Sequence, residues 1–402
     1  MQIKVASSTE DFREALHRSS NQQPRMYPMV LLKAFLLFLA MGIGFSVLSF
    51  FMTRQTGVQS AILHHFQSCP EESNGLDRWI KPPSNLIHSM TDEQLLWRAS
   101  FMPMVKNYPF ERIPKIAFMF LTRGPMPLAP LLEKFFKGHE GFYSIYVHAL
   151  PSYVANFTSD SVFYRRFIPS KVTEWGKMSM CDAEKRLLAN ALLDISNERF
   201  ILLSESCIPL YDFNTTYNYI IRSNYSFVNI IDDPGPYGQG RYNPNMAPEV
   251  NLTQWRKGSQ WFEVNRELAI AIIKDTLYYP KFSNFCQPHC YVDEHYFPTM
   301  LYIEKPGSLA NRSLTWVDWS RGGAHPATFG RSDVHEGFFK RVLEGQTCKY
   351  NGHNTTVCVL FARKFAPSTL EPLLELLSPS LQFGSQMVRN GSVSSTIDGR
   401  MF

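Results

Sequence analysis

The sequence contains no Asp-x-Asp pair, the arrangement that commonly bridges a divalent metal ion to a diphosphate group. It also contains no P-loop, no G-x-G-x-x-G, no G-x-S-x-G and no H-E-x-x-H motif. The commonest kinase, dinucleotide-binding, serine hydrolase and zinc protease motifs are therefore missing. Lysine and arginine form no basic run and the net charge is only +5, which gives nucleic-acid binding little support. We predict no resident metal ion, no cofactor and no nucleic-acid partner.

Long apolar runs are also rare, and one stands out at residues 34–52, where nineteen consecutive residues carry no charge. As an α-helix this run would extend roughly 28 Å, close to the hydrocarbon thickness of a bilayer. The apolar part of a cleavable signal peptide is usually shorter and nearer the N-terminus, and a buried core helix is usually shorter as well. We predict a single transmembrane signal-anchor at residues 34–52.

The charges on the two sides of this run differ. Five lysines and arginines precede it: Lys4, Arg13, Arg18, Arg25 and Lys33. Arg54 is the only Lys or Arg in the 25 residues that follow. Because positive charge favours the cytoplasmic side, the N-terminus is expected in the cytosol and everything after the run in the lumen or outside the cell. This is a type II topology.

Sugar-acceptor motifs and cysteines agree with that topology, since all of them follow the run. The seven Asn-x-Ser/Thr acceptors are Asn156, Asn214, Asn224, Asn251, Asn311, Asn354 and Asn390. The seven cysteines are Cys69, Cys181, Cys207, Cys286, Cys290, Cys348 and Cys358. In an oxidising compartment we expect pairing with one thiol left over, and Cys348 and Cys358 are near enough in sequence to close a short loop.

Composition divides the chain into five segments, of which the predicted anchor at 34–52 is one. Residues 1–33 are polar and are predicted to be a disordered cytosolic head. Residues 53–112 contain several prolines and short amphipathic pieces and are predicted to be a stem. A large domain follows at 113–377, and a loose Ser/Gly-rich tail at 378–402.

The large domain alternates between apolar runs typical of strands and periodic segments typical of helices. The predicted strands are 116–121, 143–147, 200–203 and 227–231, and the predicted helices are 128–136, 182–195, 215–221 and 264–277. A last strand and helix are predicted within 357–377. This order predicts an α/β fold with an open, mainly parallel sheet and helices on both faces. Ligands bind such sheets at the carboxyl ends of the strands.

The densest polar cluster is Cys286-Gln-Pro-His-Cys-Tyr-Val-Asp-Glu-His295. Its cysteines and histidines could bind a metal, although cysteines outside the cytosol more often form disulfides. Glu294 could act as a general base, with Asp293 or His295 orienting it, in a setting that neighbouring aromatic rings partly desolvate. Alternatively, Asp293 and Glu294 only favour the positive end of a helix. Spacing alone leaves the last two interpretations level.

Three further features carry polar groups suited to ligands. Arg363 and Lys364 follow an apolar run and could hold an anion such as a diphosphate, or could be a solvated surface pair. Asp233 and Arg241 lie in a Gly/Pro loop at a predicted strand end, which supplies donors and acceptors for carbohydrate hydroxyls. The final feature is an aromatic–carboxylate group, which consists of Trp316, Asp318 and Trp319. It suits a sugar site as well, although core packing is the commoner role of a tryptophan.

The motifs of the large domain together resemble those of a known family. They include KIAFMFLTRGPMPLAPLLEKFF, YSIYVH, LLSESCIPL, DDPGPYGQGRYN, WRKGSQWFEVNRELA, YVDEHYFPTML, WVDWSRGGAHPATFG and VCVLFARKF. The chain resembles, over about residues 78–377, the plant branch of the core-2/I-branching β-1,6-N-acetylglucosaminyltransferase-like family, including the brittle-culm glycosyltransferases. The resemblance implies a type II Golgi membrane protein with a GT-A-like fold, and inverting, metal-independent transfer from a UDP-sugar.

The resemblance also implies roles for single residues. Glu294 corresponds to the catalytic base of the family and Lys364 to a diphosphate ligand. Arg363 is expected beside it, and Arg321 or Arg331 is expected to supply a second diphosphate contact. The acceptor element of relatives matches Trp316-Val-Asp318, except that Asp318 replaces an aromatic residue. His148 stands where relatives have an aspartate.

We therefore expect a Golgi type II glycosyltransferase that moves a sugar, with N-acetylglucosamine as the best guess, from a UDP-sugar to a glycoprotein or cell-wall glycan. The expected partners are the donor, the glycan acceptor, the membrane, and further copies or other Golgi transferases in an oligomer. Two rival functions remain. One is a catalytically inactive relative that binds glycans or acts as a scaffold. The other is a glycoside hydrolase, with Asp233 as a distant partner of Glu294.

Overall fold

A computed structural model describes residues 28–55, 75–76, 80–83, 85–105, 107–286, 290–323 and 325–376. The predicted tail 378–402, residues 1–27 of the predicted head, and the residues Cys69, His289 and Asn390 lie outside this range. The chain divides into two compact units, Met1–Gly75 and Leu76–Phe402, and each is described by itself.

The described residues of the first unit include a long helix, α1, which spans Pro28–Gln55. Its segment Leu31–Met52 has a mean hydropathy of 2.3 and no buried residue. At 1.5 Å per residue these 22 residues rise roughly 33 Å, enough to cross the hydrocarbon core of a bilayer. The helix is thus a candidate membrane span and includes the predicted anchor 34–52. Its orientation stays a prediction.

The second unit alternates helices and strands along the chain. In order these are α2 (Asp92–Ser100), β1 (Lys115–Leu121), α3 (Ala129–Phe136), β2 (Tyr143–His148), α4 (Met178–Leu192), β3 (Asn197–Ser204), β4 (Ile208–Pro209), α5 (Phe213–Ile221), β5 (Glu263–Asn265), α6 (Arg266–Lys274), α7 (Tyr278–Phe285), α8 (Val292–Glu304), β6 (Thr315–Val317), α9 (Glu336–Leu343), β7 (Cys348–Tyr350), β8 (His353–Thr355), β9 (Phe361–Arg363) and α10 (Leu370–Leu376).

The main sheet has the strand order β2-β1-β3-β5. β1 pairs in parallel with β2 and with β3, whereas β5 runs antiparallel to β3. Arg199 on β3 and Glu263 on β5 form a buried ion pair, with nitrogen–oxygen distances of 2.7 and 2.8 Å. The predicted α/β class with a mainly parallel sheet is confirmed.

Successive residues of β1 face opposite sides of this sheet, because side chains alternate along a strand. Phe118 and Phe120 enter a core that includes Leu132 and Phe136 of α3. Ala117 and Met119 enter a second core, to which α4, α6 and α8 contribute. The two cores lie on the two faces of the sheet, which confirms that helices cover both.

Helix α2 belongs to the second unit, although it falls within the predicted stem. Thr91 and Gln94 form a capping box at its start, which satisfies backbone N–H groups that the first turn leaves free. Leu95 and Ala99 are buried in the core that contains α4 and α6. Part of the region predicted as stem is therefore packed with the α/β unit.

One predicted element was wrong, and the bounds of another are corrected. Residues 227–231 form isolated bridges, from Phe227 to Glu263 and from Ile231 to Lys257, instead of a strand. Phe227 pairs with β5, but β5 has only three residues, so the segment has no continuous partner. The helix predicted at 264–277 begins at Arg266, because the Asn265 side chain accepts a hydrogen bond from the Leu268 N–H at 2.9 Å. It ends at Lys274, and α7 follows separately.

The expected single unpaired thiol is also corrected. Disulfides join Cys286 to Cys290 and Cys348 to Cys358, as their Cα distances of 5.1 and 5.7 Å allow. Cys181 and Cys207 are both free and buried. They lie in the two different cores, so the sheet separates them.

A second, three-stranded sheet has the order β4-β9-β6. Its strand β4 follows soon after the carboxyl end of β3, and β9 lies in the middle. The Phe365 N–H donates to the Ser206 carbonyl at 3.0 Å. This small sheet therefore places the end of β9 directly beside the carboxyl end of β3.

Candidate active site

The candidate base, Glu294, lies in the first turn of helix α8. Its N-cap residue Tyr291 adopts a left-handed conformation with φ of 55°, and the Cys286–Cys290 disulfide immediately precedes it. The disulfide removes both thiolates from the metal-binding interpretation. Among the residues that the structure describes, no group of three Cys, His, Asp or Glu side chains is arranged to hold a metal ion. The first turn of α8 thus presents carboxylates rather than a metal site.

Glu294 is partly buried and faces Arg241. The Arg241 Nη1 atom donates to Glu294 Oε2 at 3.4 Å. Burial raises the pKa of Glu294, while the charges of Lys257 and Arg241 act in the opposite direction and favour the ionised form. A carboxylate with a raised pKa, which still ionises, meets the requirement for a general base.

The residues on either side of Glu294 point elsewhere. Burial, together with the charge of Glu294, raises the pKa of Asp293 to about 7. The ring of His295 stacks on Trp255 at a centroid distance of 4.7 Å, and burial lowers its pKa to about 3. The predicted orienting role of Asp293 or His295 is therefore taken by Arg241, which forms the hydrogen bond to Glu294.

The Gly/Pro loop at 232–242 folds tightly around Asp233, and this turn places Arg241 near α8. The Asp233 carbonyl accepts from the Gln239 N–H at 2.8 Å, and its carboxylate lies 3.7 Å from Lys257 Nζ. A Cβ on Gly238 would lie 2.2 Å from the Asp233 carbonyl oxygen, so only glycine fits there. The two predicted acceptor residues, Asp233 and Arg241, thus belong to one charged group with Glu294.

Aromatic rings surround this group. The Arg241 guanidinium lies over the rings of Tyr291 and Tyr237, at 4.2 and 5.4 Å. Trp175 contacts Tyr291 edge-on with a centroid distance of 4.9 Å, and contacts His325 at 5.0 Å. Sequence reasoning missed Trp175, because it lies in a loop without any motif and more than 100 positions before Tyr291.

Two of the predicted diphosphate ligands, Arg363 and Lys364, lie at the carboxyl end of β9. Arg363 stacks on Trp261, with its guanidinium 3.9 Å from the ring centroid. Lys364 is partly buried. Burial is the main reason that its pKa is lowered, and the nearby positive charge of Arg363 lowers it further. Arg123, which follows β1, is close enough to Lys364 to lower its pKa further, whereas Glu205 acts in the opposite direction. These three cations form a group that we call the cationic strand end.

Sequence reasoning had not named Arg123. The only available signal was its place directly after a strand predicted to end at the ligand-binding edge of the sheet. The two arginines that were named lie near this edge but make other contacts. Arg321 lies over the Phe329 ring at 5.9 Å, and Arg331 forms an exposed ion pair with Glu371. Besides Arg363, Arg123 is thus the arginine whose charge acts on Lys364.

The three residues of the aromatic–carboxylate group have different surroundings in the structure. Trp316 packs on Phe329 and Phe338, with centroid distances of 5.8 and 6.0 Å, and so borders a core. The Asp318 carboxylate accepts from the Ser320 N–H at 2.8 Å and shapes the following turn. Trp319 is exposed. Trp316 and Asp318 therefore have structural contacts, and their predicted role toward an acceptor stays a prediction.

The predicted glycosylation sites can be checked for accessibility. Those in the described range are all exposed, namely Asn156, Asn214, Asn224, Asn251, Asn311 and Asn354. Exposure is what attachment of a bulky sugar requires. Their glycosylation stays a prediction.

His148 is buried at the end of β2. Its Nε2 atom lies 2.8 Å from Arg186 Nη1, and Arg186 forms a two-point ion pair with Asp92, with both distances 2.8 Å. Burial lowers the pKa of His148 to about 3. A neutral histidine therefore takes part in joining α2 to the edge of the sheet.

Comparison with known proteins agrees with this geometry. A model of the Core-2/I-Branching enzyme family matches residues 116–343, more than half of the chain. The chain is also 35% identical to Glycosyltransferase BC10 of Oryza sativa subsp. japonica over 309 residues, which cover 65% of this chain and 76% of that protein. The matched region contains Arg241, Glu294 and β1 from its second residue, and it confirms the resemblance found in the motifs. The chain therefore belongs to the Core-2/I-branching enzyme family and is a glycosyltransferase.

Proposed function

We propose that this glycosyltransferase is a type II Golgi membrane enzyme that uses a UDP-sugar, with N-acetylglucosamine as the first candidate sugar. It transfers that sugar with inversion, and without a metal ion, to a hydroxyl of a glycoprotein or cell-wall glycan. The apolar helix α1, the excess of positive charge before it and the six exposed acceptor asparagines support the membrane anchor and a lumenal domain.

The observation that carries the proposed reaction is the short segment 257–261, which contacts both candidate groups. The Gly258 N–H donates to the Glu294 carbonyl at 2.7 Å, and the Trp261 ring lies against Arg363. Three residues of extended backbone reach at most about 11 Å. The backbone at the candidate base and the residue that contacts Arg363 are therefore separated by a short segment, which supports a single site that contains both groups.

The reaction is a single displacement. Glu294 accepts the proton of the acceptor hydroxyl, and the oxygen attacks the anomeric carbon of the donor from the face opposite UDP. The bond from the anomeric carbon to the diphosphate oxygen breaks, and its electron pair leaves with UDP. Lys364, supported by Arg123 and Arg363, stabilises the negative charge that develops on the diphosphate.

The test is a screen of the full-length protein in detergent. UDP release is measured with UDP-N-acetylglucosamine, UDP-galactose, UDP-glucose and UDP-xylose, each with chitohexaose, cellohexaose, xylohexaose or a β-1,3-galactan oligosaccharide. We expect one donor to release UDP in an acceptor-dependent reaction, and nuclear magnetic resonance of the product to show an inverted anomeric configuration. Glycan binding without UDP release from any donor would favour an inactive relative. Shortening of a glycan without a donor would favour a hydrolase.

A further inference from the structure

Trp175 is exposed, although hydrogen bonds and side-chain contacts fix the loop that carries it. The residue is 49% exposed, whereas burial of a large aromatic side chain usually stabilises a protein. The Lys171 N–H donates to His148 Nε2 at 3.3 Å, and the Lys171 ammonium lies 2.6 Å from Asp92. Gly176 has φ of 74°, and a Cβ there would lie only 3.2 Å from the Tyr291 ring. The loop is thus packed against Tyr291 while the indole remains open to solvent.

A continuous series of contacts connects this indole to the candidate base. Trp175 contacts the ring of Tyr291, Tyr291 carries the Arg241 guanidinium, and Arg241 donates to Glu294. Tyr237 lies under the same guanidinium and is 66% exposed. Two exposed rings, Trp175 and Tyr237, are therefore connected to the Arg241–Glu294 pair, Tyr237 directly and Trp175 through Tyr291.

Such a pair of rings fits the apolar faces of sugars. An exposed aromatic face covers the C–H face of a pyranose, while nearby carboxylate and guanidinium groups bind its hydroxyls. The contacts of Trp175 run to the base, which meets the acceptor, and the cations that suit a diphosphate lie at the end of β9. The acceptor is therefore the ligand that these two rings would meet.

Resting on the proposed function, we infer that Trp175 and Tyr237 are stacking platforms for sugar rings of the acceptor on the two sides of the reacting hydroxyl. The acceptor is accordingly an extended glycan of several pyranose units and not a single sugar. Trp175 determines acceptor affinity, and its contribution grows with the length of the glycan.

The test compares two exposed tryptophans. Trp97 is a matched control, because it is 68% exposed and its ring contact is with Phe101 of the same segment, edge-on at 4.6 Å, and not with Tyr291. With the acceptor that supports turnover, Trp175→Ala should raise the acceptor KM about tenfold, which corresponds to about 1.4 kcal/mol. The KM of the UDP-sugar and kcat should change little. Trp175→Phe should retain most of the affinity, and Trp97→Ala should behave like wild type.

Glycan length provides a second measurement. The ratio of acceptor KM between Trp175→Ala and wild type should rise from the disaccharide to the hexasaccharide of the same series. A ratio that stays constant at one, or a rise in the donor KM instead, would overturn the inference and leave the proposed transferase intact.

A binding assay keeps the two proposals separate. Saturation-transfer nuclear magnetic resonance with the same hexasaccharides reports contact without turnover. If no donor is used but Trp175→Ala loses glycan contact that Trp97→Ala keeps, the acceptor platform stands and the proposed reaction fails. Equal contact in wild type and Trp175→Ala would refute the platform whether or not the enzyme turns over.

Discussion

The two halves of the candidate site handle charge in opposite ways. Around Glu294 the charged side chains are paired, since Arg241 lies 3.4 Å from Glu294 and Lys257 lies 3.7 Å from Asp233. Among the ion pairs formed by the described residues, none includes Lys364 or Arg363. The charges of the base side form ion pairs before any substrate arrives, whereas the carboxylate of Glu205 acts on Lys364 and Arg363 without forming an ion pair with either.

The proposed reaction accounts for this difference through the chemistry of its two substrates. An acceptor hydroxyl is neutral, so the base must keep its own charge stable while burial works against it, and Arg241 and Lys257 provide that stabilisation. A nucleotide diphosphate arrives with negative charge, so cations without a carboxylate partner are free to bind it. Burial and neighbouring cations lower the pKa of Lys364, and an anion beside it would oppose that effect.

The largest effect is expected from a substitution that removes the base. Glu294→Gln keeps the size and the hydrogen-bonding capacity of the side chain but cannot accept the proton. We expect kcat to fall by about 10²-fold or more, with the UDP-sugar affinity near that of wild type. Glu267→Gln is the control, because Glu267 is an exposed glutamate paired with Lys305 on the surface. Retained activity in Glu294→Gln would contradict the assignment.

The second prediction tests the cationic strand end. Lys364→Ala should weaken UDP-sugar binding about 10- to 100-fold, as expected for the loss of charge-assisted hydrogen bonds, while acceptor affinity stays constant. Arg123→Ala should have a smaller effect of the same kind. Lys340→Ala on the exposed face of α9 is the control. Isothermal titration with UDP measures the change, and equal affinity in all three variants would remove the contrast between the two halves.

A third measurement concerns the pH profile. Burial raises the pKa of Glu294, and the positive charges of Lys257 and Arg241 lower it. Arg241→Ala removes one of these charges, so the pKa of Glu294 should rise further. Because the base must be ionised, the acidic limb of kcat/KM should move to higher pH. A limb that stays in place, or moves to lower pH, would show that Arg241 does not act on the base.

The smallest expected effect is the response to a chelator. If the cationic strand end replaces a metal ion, then dialysis against EDTA should leave UDP release unchanged, and added Mg²⁺ or Mn²⁺ should not increase it. The same treatment of a metal-dependent glycosyltransferase provides the positive control. Collapse of activity in EDTA would mean that the lysine and arginines do not suffice.

The sequence predicted those parts of the molecule that depend on local pattern. The strand at 116–121, the helix at 128–136 and the apolar helix near the N-terminus were correct, because period and length are properties of a single segment. Residues 227–231 look equally strand-like, but a strand needs a partner of matching length, and Phe227 pairs with β5, which has only three residues. The pattern of one segment does not contain the length of the strand it will pair with.

The same limit applies to the site. Glu294 and Lys364 were named because they occur in recognisable motifs, and their positions at a helix start and a strand end agree with that expectation. The partner of Glu294 was expected among its neighbours, Asp293 and His295, but helical geometry turns both of these into the core. Arg241, which lies more than 50 residues earlier, takes that place.

By itself, the sequence determined that this protein has an apolar run long enough for a membrane, an α/β domain of this family, and a carboxylate and a lysine in the motifs of the candidate site. Only the tertiary structure decided that Arg241 faces Glu294, that Arg123 joins Lys364, and that Trp175 stands beside Tyr291. The reason is physical. Helical period, apolar length and motif are encoded between near neighbours, whereas ion pairs and ring contacts form between segments that only the folded sheet brings together.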